Sequence, residues 1–167
     1  MIASSAKGRA RNDGGVDRGV MGLETTFRII PYGSAEYKNA VRLRDEVLRK
    51  PLGLSLSPEE LQIERDYFHV VGCQAGKVVA TALLIPEGTA CKMRQVAVRD
   101  ELRSTGIGSQ MMRFCEGIAK EKGVKSLYCH ARHTAVSFYL KNAYQVEGNP
   151  FEENTIPHVK MRKMLGE

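Results

Sequence analysis

The residues of this chain best equipped for chemistry are gathered in Arg103-Ser104-Thr105-Gly106-Ile107-Gly108-Ser109, seven positions that hold a cation, hydroxyls and two glycines. A helix that opens here presents, in its first turn, backbone N–H groups that no helical carbonyl reaches, together with the positive end of the macrodipole. Glycine lets an anion approach that backbone with no Cβ in the way, and the Arg103 guanidinium adds a charge-assisted contact. Such a turn suits a phosphate. Its spacing departs from the widespread phosphate loops: there is no Gly-x-x-x-x-Gly-Lys-Ser/Thr, and Met111 stands at the third glycine of Gly-x-Gly-x-x-Gly. Candidates for accepting a proton lie elsewhere, in His69, His158, Glu64 and Asp66. His69 interrupts an apolar run, and His158 follows a proline that fixes the backbone beside it. The four histidines and four cysteines have no ligand spacing, so no metal site is expected.

Positioning the loop takes a strand before it and a helix after it. Met93, Val96 and Val98 precede it at strand-like positions, and Ile107, Met111, Cys115, Ile118 and Ala119 follow at helical spacing. Further upstream, a short strand from Thr25 stops at Pro31-Tyr32-Gly33, and Ser34 caps a predicted helix over 35–50 that Pro51-Leu52-Gly53 ends. Its basic residues Arg42, Arg44, Arg49 and Lys50 fall in the second half, where cations complement the helix dipole. Ser57-Pro58-Glu59-Glu60 starts a second, shorter helix reaching about Glu64. Three strands, 67–73, 77–85 and 89–98, then form an antiparallel meander that runs into the loop. Gly123 stops the main helix, and 124–130 reads as a strand parallel to 93–98 by the right-handed crossover rule. A short helix over 135–142 and strands over 144–147 and 156–164 complete an α+β architecture: a mixed, mostly antiparallel sheet with a central parallel pair and helices on both faces.

At 167 residues, 43% hydrophobic and 26% charged, the chain suits one domain with a substantial core. Its net charge of +6 fits an anionic partner, whether a nucleotide cofactor or nucleic acid. No stacked aromatic surface, zinc finger or helix-turn-helix supports nucleic acid. The first 22 residues, rich in Gly, Ser, Ala and Arg, are expected to be a disordered extension to a domain over 23–167, and Met21 offers an alternative start. They contain no apolar run long enough for a signal peptide or membrane span. Dispersed cysteines in apolar patterns read as reduced and packed, which leads to the expectation of a cytoplasmic protein.

Val96-Ala97-Val98 followed by Arg103-x-x-Gly106-x-Gly108 resembles the acetyl-CoA signature of the GNAT superfamily of N-acetyltransferases. A second segment, Ala135-Val136-x-Phe138-Tyr139-x-x-x-Ala143-Tyr144, resembles the family's Ala-x-x-Phe-Tyr-x-x-x-Gly-Phe, with Ala143 in place of the glycine and expected to loosen that turn. Within the superfamily, Leu48–Gly53, His69, Met93–Val98 and the run from Phe151 to Met161 are similar to a bacterial branch of the ElaA type. The resemblance implies a parallel strand pair splayed around acetyl-CoA, with Val96, Ala97 and Val98 on the pantetheine arm and Arg103, Ser104, Thr105, Gly106, Ile107, Gly108 and Ser109 on the pyrophosphate. It implies direct attack of an amine on the thioester, with Tyr139 in the position of the acid and His158 or His69 as the foremost choices of base. Expected partners are a small-molecule or peptide amine and, as an option, a second copy of the chain in a homodimer; neither nucleic acid nor membrane is expected. The alternative function is a sensor or interaction module that binds acetyl-CoA without turnover.

Overall fold

The computed structural model describes residues 23–166; the expected extension over 1–22 lies outside the described residues. One sheet runs in the order β1-β2-β3-β4-β5-β7-β6, built from β1 (Thr26–Ile30), β2 (Phe68–Gln74), β3 (Lys77–Glu87), β4 (Ala90–Val98), β5 (Ser126–Arg132), β6 (Gln145–Glu153) and β7 (Ile156–Met164). All neighbours are antiparallel except β4 and β5. Helices cover both faces of the middle strands, so β3 is buried at every residue from Val78 to Leu84 rather than at alternate ones. On one face α1 (Ala35–Arg44) sets Tyr37, Ala40 and Leu43 against Ile30, Val71 and Val78. On the other, α3 (Ile107–Glu121) sets Met111, Met112, Cys115 and Ala119 into the larger core with Ala80, Leu84, Met93 and Leu127.

The local signals explain the ends of these elements. Ser34 caps α1 by accepting from the Tyr37 N–H, and Ser57 with Glu60 forms a capping box at α2 (Pro58–Ile63). Gly123, at φ +77°, closes the end of α3. The helix expected over 35–50 is regular only to Arg44. A π-type turn over Asp45–Arg49 and a 3₁₀ turn over Lys50–Leu52 follow, because Pro51 has no N–H to continue the ladder. Arg44 does not serve the helix dipole. It is drawn inward to Glu64 by two bonds of 2.8 Å, with both side chains almost wholly buried. That pairing takes Glu64 out of the set of proton acceptors.

The parallel pairing is short. Residues Ala90 to Met93 of β4 pair with Ser126 to Cys129 of β5, and beyond them the two strands part. On its other edge β4 carries a bulge, since Thr81 opposes Ala97 while Leu83 opposes Arg94, leaving one extra residue in β4. Gln95 absorbs it at φ +56°, a left-handed conformation rare outside glycine. The bend turns the end of β4 away from β5 and opens the sheet between them.

Candidate active site

A cleft of about 740 Å³ occupies the opening, walled by the diverging ends of β4 and β5, the loop before α3, the start of α4 (Val136–Lys141) and the π-type turn after α1. Val96, Ala97, Val98, Arg103, Ser104, Gly106, Gly108 and Ser109 line it. Thr105 and Ile107 do not. The Thr105 hydroxyl donates to the Leu102 carbonyl, and Ile107 is buried in the core. Ser104 at φ +63° and Gly106 at φ +92° fold the loop tightly enough for Gly106 to be the N-cap of α3. Gly106 has no side chain to cap the helix and Gln110 makes the first intrahelical bond, so the N–H groups of Ile107, Gly108 and Ser109 remain available to an anion. Arg103 pairs with Asp100 at 2.9 Å on the surface, an exposed contact of little strength that leaves its guanidinium ready for exchange.

Gly108 has a further use that its spacing does not indicate. A Cβ there would come within 3.0 Å of the Phe138 ring, so the missing side chain lets α4 pack against α3. That contact fixes Tyr139, one residue further on. Its ring lies between those of Phe138 and Tyr144, with centroids 5.0 and 5.5 Å away, and only 5% of the residue is exposed. Burial, reinforced by the neighbouring Cys129 thiol, pushes the phenol well above its ordinary pKa. Tyr139 is a protonated donor at neutral pH. Ala143 does not loosen the turn behind it: at φ +73° it keeps the bonds from its own N–H to Leu140 and from the Tyr144 N–H to Tyr139, at a strain of about 1–2 kcal/mol.

The two histidines separate. His158 lines the cleft, and its Nδ1–H donates to the Ile156 carbonyl at 2.7 Å, which leaves the Nε2 lone pair free to take a proton. His69 lies away from the cleft. It is 3% exposed, packs edge-on to Tyr37 and donates from Nε2 to the Glu64 carbonyl at 2.8 Å, and burial lowers its pKa. Asp66 is also outside the lining, on an exposed turn. Several polar residues outside the expected site also line the cleft. His130 and Arg132 belong to the stretch of β5 that has left β4, and Arg49 comes from the π-type turn. Glu153 reaches the cleft because β6 bulges after Glu147, and its Oε1 lies 2.9 Å from His130 Nδ1. Burial opposes the Glu153 carboxylate, but the bond from His130 and the attraction of His130, His158 and Lys92 together outweigh it and hold the carboxyl below its usual range.

A helix N-terminus with free N–H groups, a split sheet with an unpaired strand edge and a buried phenol meet at one cleft. The family model for the acetyltransferase (GNAT) domain matches residues 43–165. The chain belongs to the GNAT acetyltransferase family. The Bacillus subtilis (strain 168) N-acetyltransferase YjcF, itself uncharacterized, is 27% identical over 136 residues that make up 81% of this chain and 97% of that protein. Among solved structures, one assigned as an N-acetyltransferase from Lactobacillus plantarum superposes with a TM-score of 0.74 at 26% identity, over 83% of this chain and 98% of its own. A GNAT family acetyltransferase from Elizabethkingia anophelis, solved with acetyl-CoA bound, gives a TM-score of 0.66 at 16% identity over 84% and 98% of the two chains, a likeness of fold. This GNAT chain is therefore an acyltransferase of the N-acetyltransferase class, and its sheet, parallel pair and flanking helices are those of the family's fold.

Proposed function

We propose that the chain transfers an acetyl group from acetyl-CoA to a primary amine by direct attack on the thioester. The observation that carries this reading is the parting of β4 and β5 after Met93 and Cys129, with the loop Arg103–Ser109 at its rim. The unpaired edge of β4 around Val96–Val98 holds the pantetheine arm by backbone hydrogen bonds and supplies an N–H to the acetyl oxygen as charge develops there. The N–H groups at the start of α3 and the Arg103 guanidinium hold the pyrophosphate. His158 Nε2, directly or through a water, accepts the proton released by the attacking nitrogen. As the new C–N bond forms and the C–S bond breaks, Tyr139 gives its proton to the departing thiolate.

The test is a thermal-shift series with acetyl-CoA, CoA and ATP, run beside an assay of CoA release over a panel of amines. Acetyl-CoA at about 100 times its dissociation constant is expected to add about 2.7 kcal/mol of stability, a rise of several degrees in Tm. Stabilisation without CoA release from any amine would transfer the case to a non-catalytic acetyl-CoA sensor. No shift with either CoA species would overturn both.

A further inference from the structure

Among the described residues, six cations line the cleft, Arg49, Lys92, Arg94, Arg103, Arg132 and Lys141, against one acid, Glu153. They are divided between the two faces of the sheet. Cys91, Met93, Cys129 and Ala131 pack into the core on the α3 side, so the alternating residues Lys92, Arg94, His130 and Arg132 face the other way, towards the end of α1. There Arg132 Nη2 donates to the Leu48 carbonyl at 3.0 Å, next to Arg49. No acidic side chain among the described residues pairs with Lys92, Arg94 or Arg132. Arg49 has a partner, Glu60 at 3.0 Å, which is 42% exposed and approaches from outside the cleft.

Coenzyme A does not account for this charge. Its negative groups are the pyrophosphate, which the proposal above assigns to Arg103 and the start of α3, and the ribose phosphate that lies beyond the pyrophosphate from the thioester; its pantetheine arm and thioester are neutral. Half-burying like charges together costs free energy unless an anion joins them. At Arg132, burial and then the nearby Arg49 pull the guanidinium below its ordinary pKa, and Glu153 offsets this only in part.

Resting on the acetyltransferase reading, we infer that the acceptor is an amine that also carries an oxyanion, a carboxylate or a phosphate, held by Arg132 and Arg49 with Arg94 and Lys92 at the mouth. Two guanidiniums on neighbouring elements offer the forked donors that match either group. The acceptor's nitrogen is left to the imidazoles of His130 and His158 and to Glu153. A polyamine or other polycation meets charge of its own sign.

The experiment uses acceptors in matched pairs on the full chain: amino acids against their carboxamides, and an amino sugar phosphate against the unphosphorylated amino sugar, with spermidine as the polycation. CoA release gives kcat/KM, and calorimetry on the CoA-loaded protein gives affinity. The acidic member of at least one pair is expected to exceed its neutral partner by roughly tenfold to a hundredfold, with the carboxylate and phosphate arms telling which oxyanion is used. Arg132→Gln should erase that preference through KM and Arg132→Lys should keep part of it. Arg94→Gln, at an exposed position, gives an independent reduction if the Arg132 variants fail to fold. Equal or better use of the neutral amines or of spermidine overturns the inference while leaving the acetyltransferase reading intact. A panel in which no acidic amine binds or reacts, although acetyl-CoA stabilises the protein, overturns it as well.

Discussion

At Tyr139 the proton donation proposed above can be tested apart from packing within one side chain. Its ring is held by Phe138, Tyr144 and the Cys129 thiol, and its burial keeps the hydroxyl protonated. Tyr139→Phe retains the ring and removes only the hydroxyl that carries the proton. Turnover is expected to fall by about 10²–10⁴ while acetyl-CoA affinity stays within a few-fold, measured by steady-state kinetics and calorimetry on the same preparation. Near-normal turnover would reduce the tyrosine to a packing residue. The two histidines make the complementary point, since both were equal candidates by type. His69 spends its N–H on a carbonyl in the core, whereas His158 makes its comparable bond through Nδ1 and still lines the cleft.

Between elements, the Arg44–Glu64 pair joins the end of α1 to the turn before β2 and so helps hold the π-type turn that bears Leu48 and Arg49. A buried ion pair contributes little against an apolar replacement of equal volume, but losing one partner strands the other charge. Arg44→Met alone is expected to cost about 3–5 kcal/mol by urea denaturation, and Arg44→Met combined with Glu64→Leu to recover most of it. A double variant as unstable as the single would show that the pair is replaceable only by another charge pair.

Over the whole molecule, burial makes His69 a source of acid sensitivity. Its folded pKa is lowered from the ordinary value of 6.5, so the unfolded chain takes up a proton near that pH that the folded chain refuses. The stability tied to the neutral ring is complete above pH 6.5 and is lost as the pH falls below it, with a slope of at most about 1.4 kcal/mol per pH unit for one proton. Urea midpoints taken between pH 7.5 and pH 5 (roughly the histidine range) are expected to fall with acidity, and His69→Gln, which keeps an N–H donor, to flatten that fall. Parallel curves for the two proteins would remove His69 as the cause.

Much of this fold was legible in the chain because its signals are local. Ser34, Ser57-Pro58 and Gly123 mark helix ends by satisfying or releasing backbone groups within a few residues, and the strand over 156–164 was predicted at the bounds the structure gives it. The loop from Arg103 to Ser109 declared itself in the same way, through Gly106, whose positive φ a tight turn before a helix favours. The cleft is not local. It exists because β4 gains one residue against β3 at Gln95 and loses its pairing with β5 after Met93, and neither strand encodes by itself where its partner will stop. Arg49, His130, Arg132 and Glu153 meet there from three elements, Glu153 through a hairpin whose Asn154 and Thr155 both adopt positive φ with no glycine to announce it. The sequence determined which residues were suited to phosphate and proton chemistry. Tertiary structure decided which of them share a cavity, because burial and opposing charge, not residue type, sent Glu64 and His69 to the interior and left His158 in the cleft.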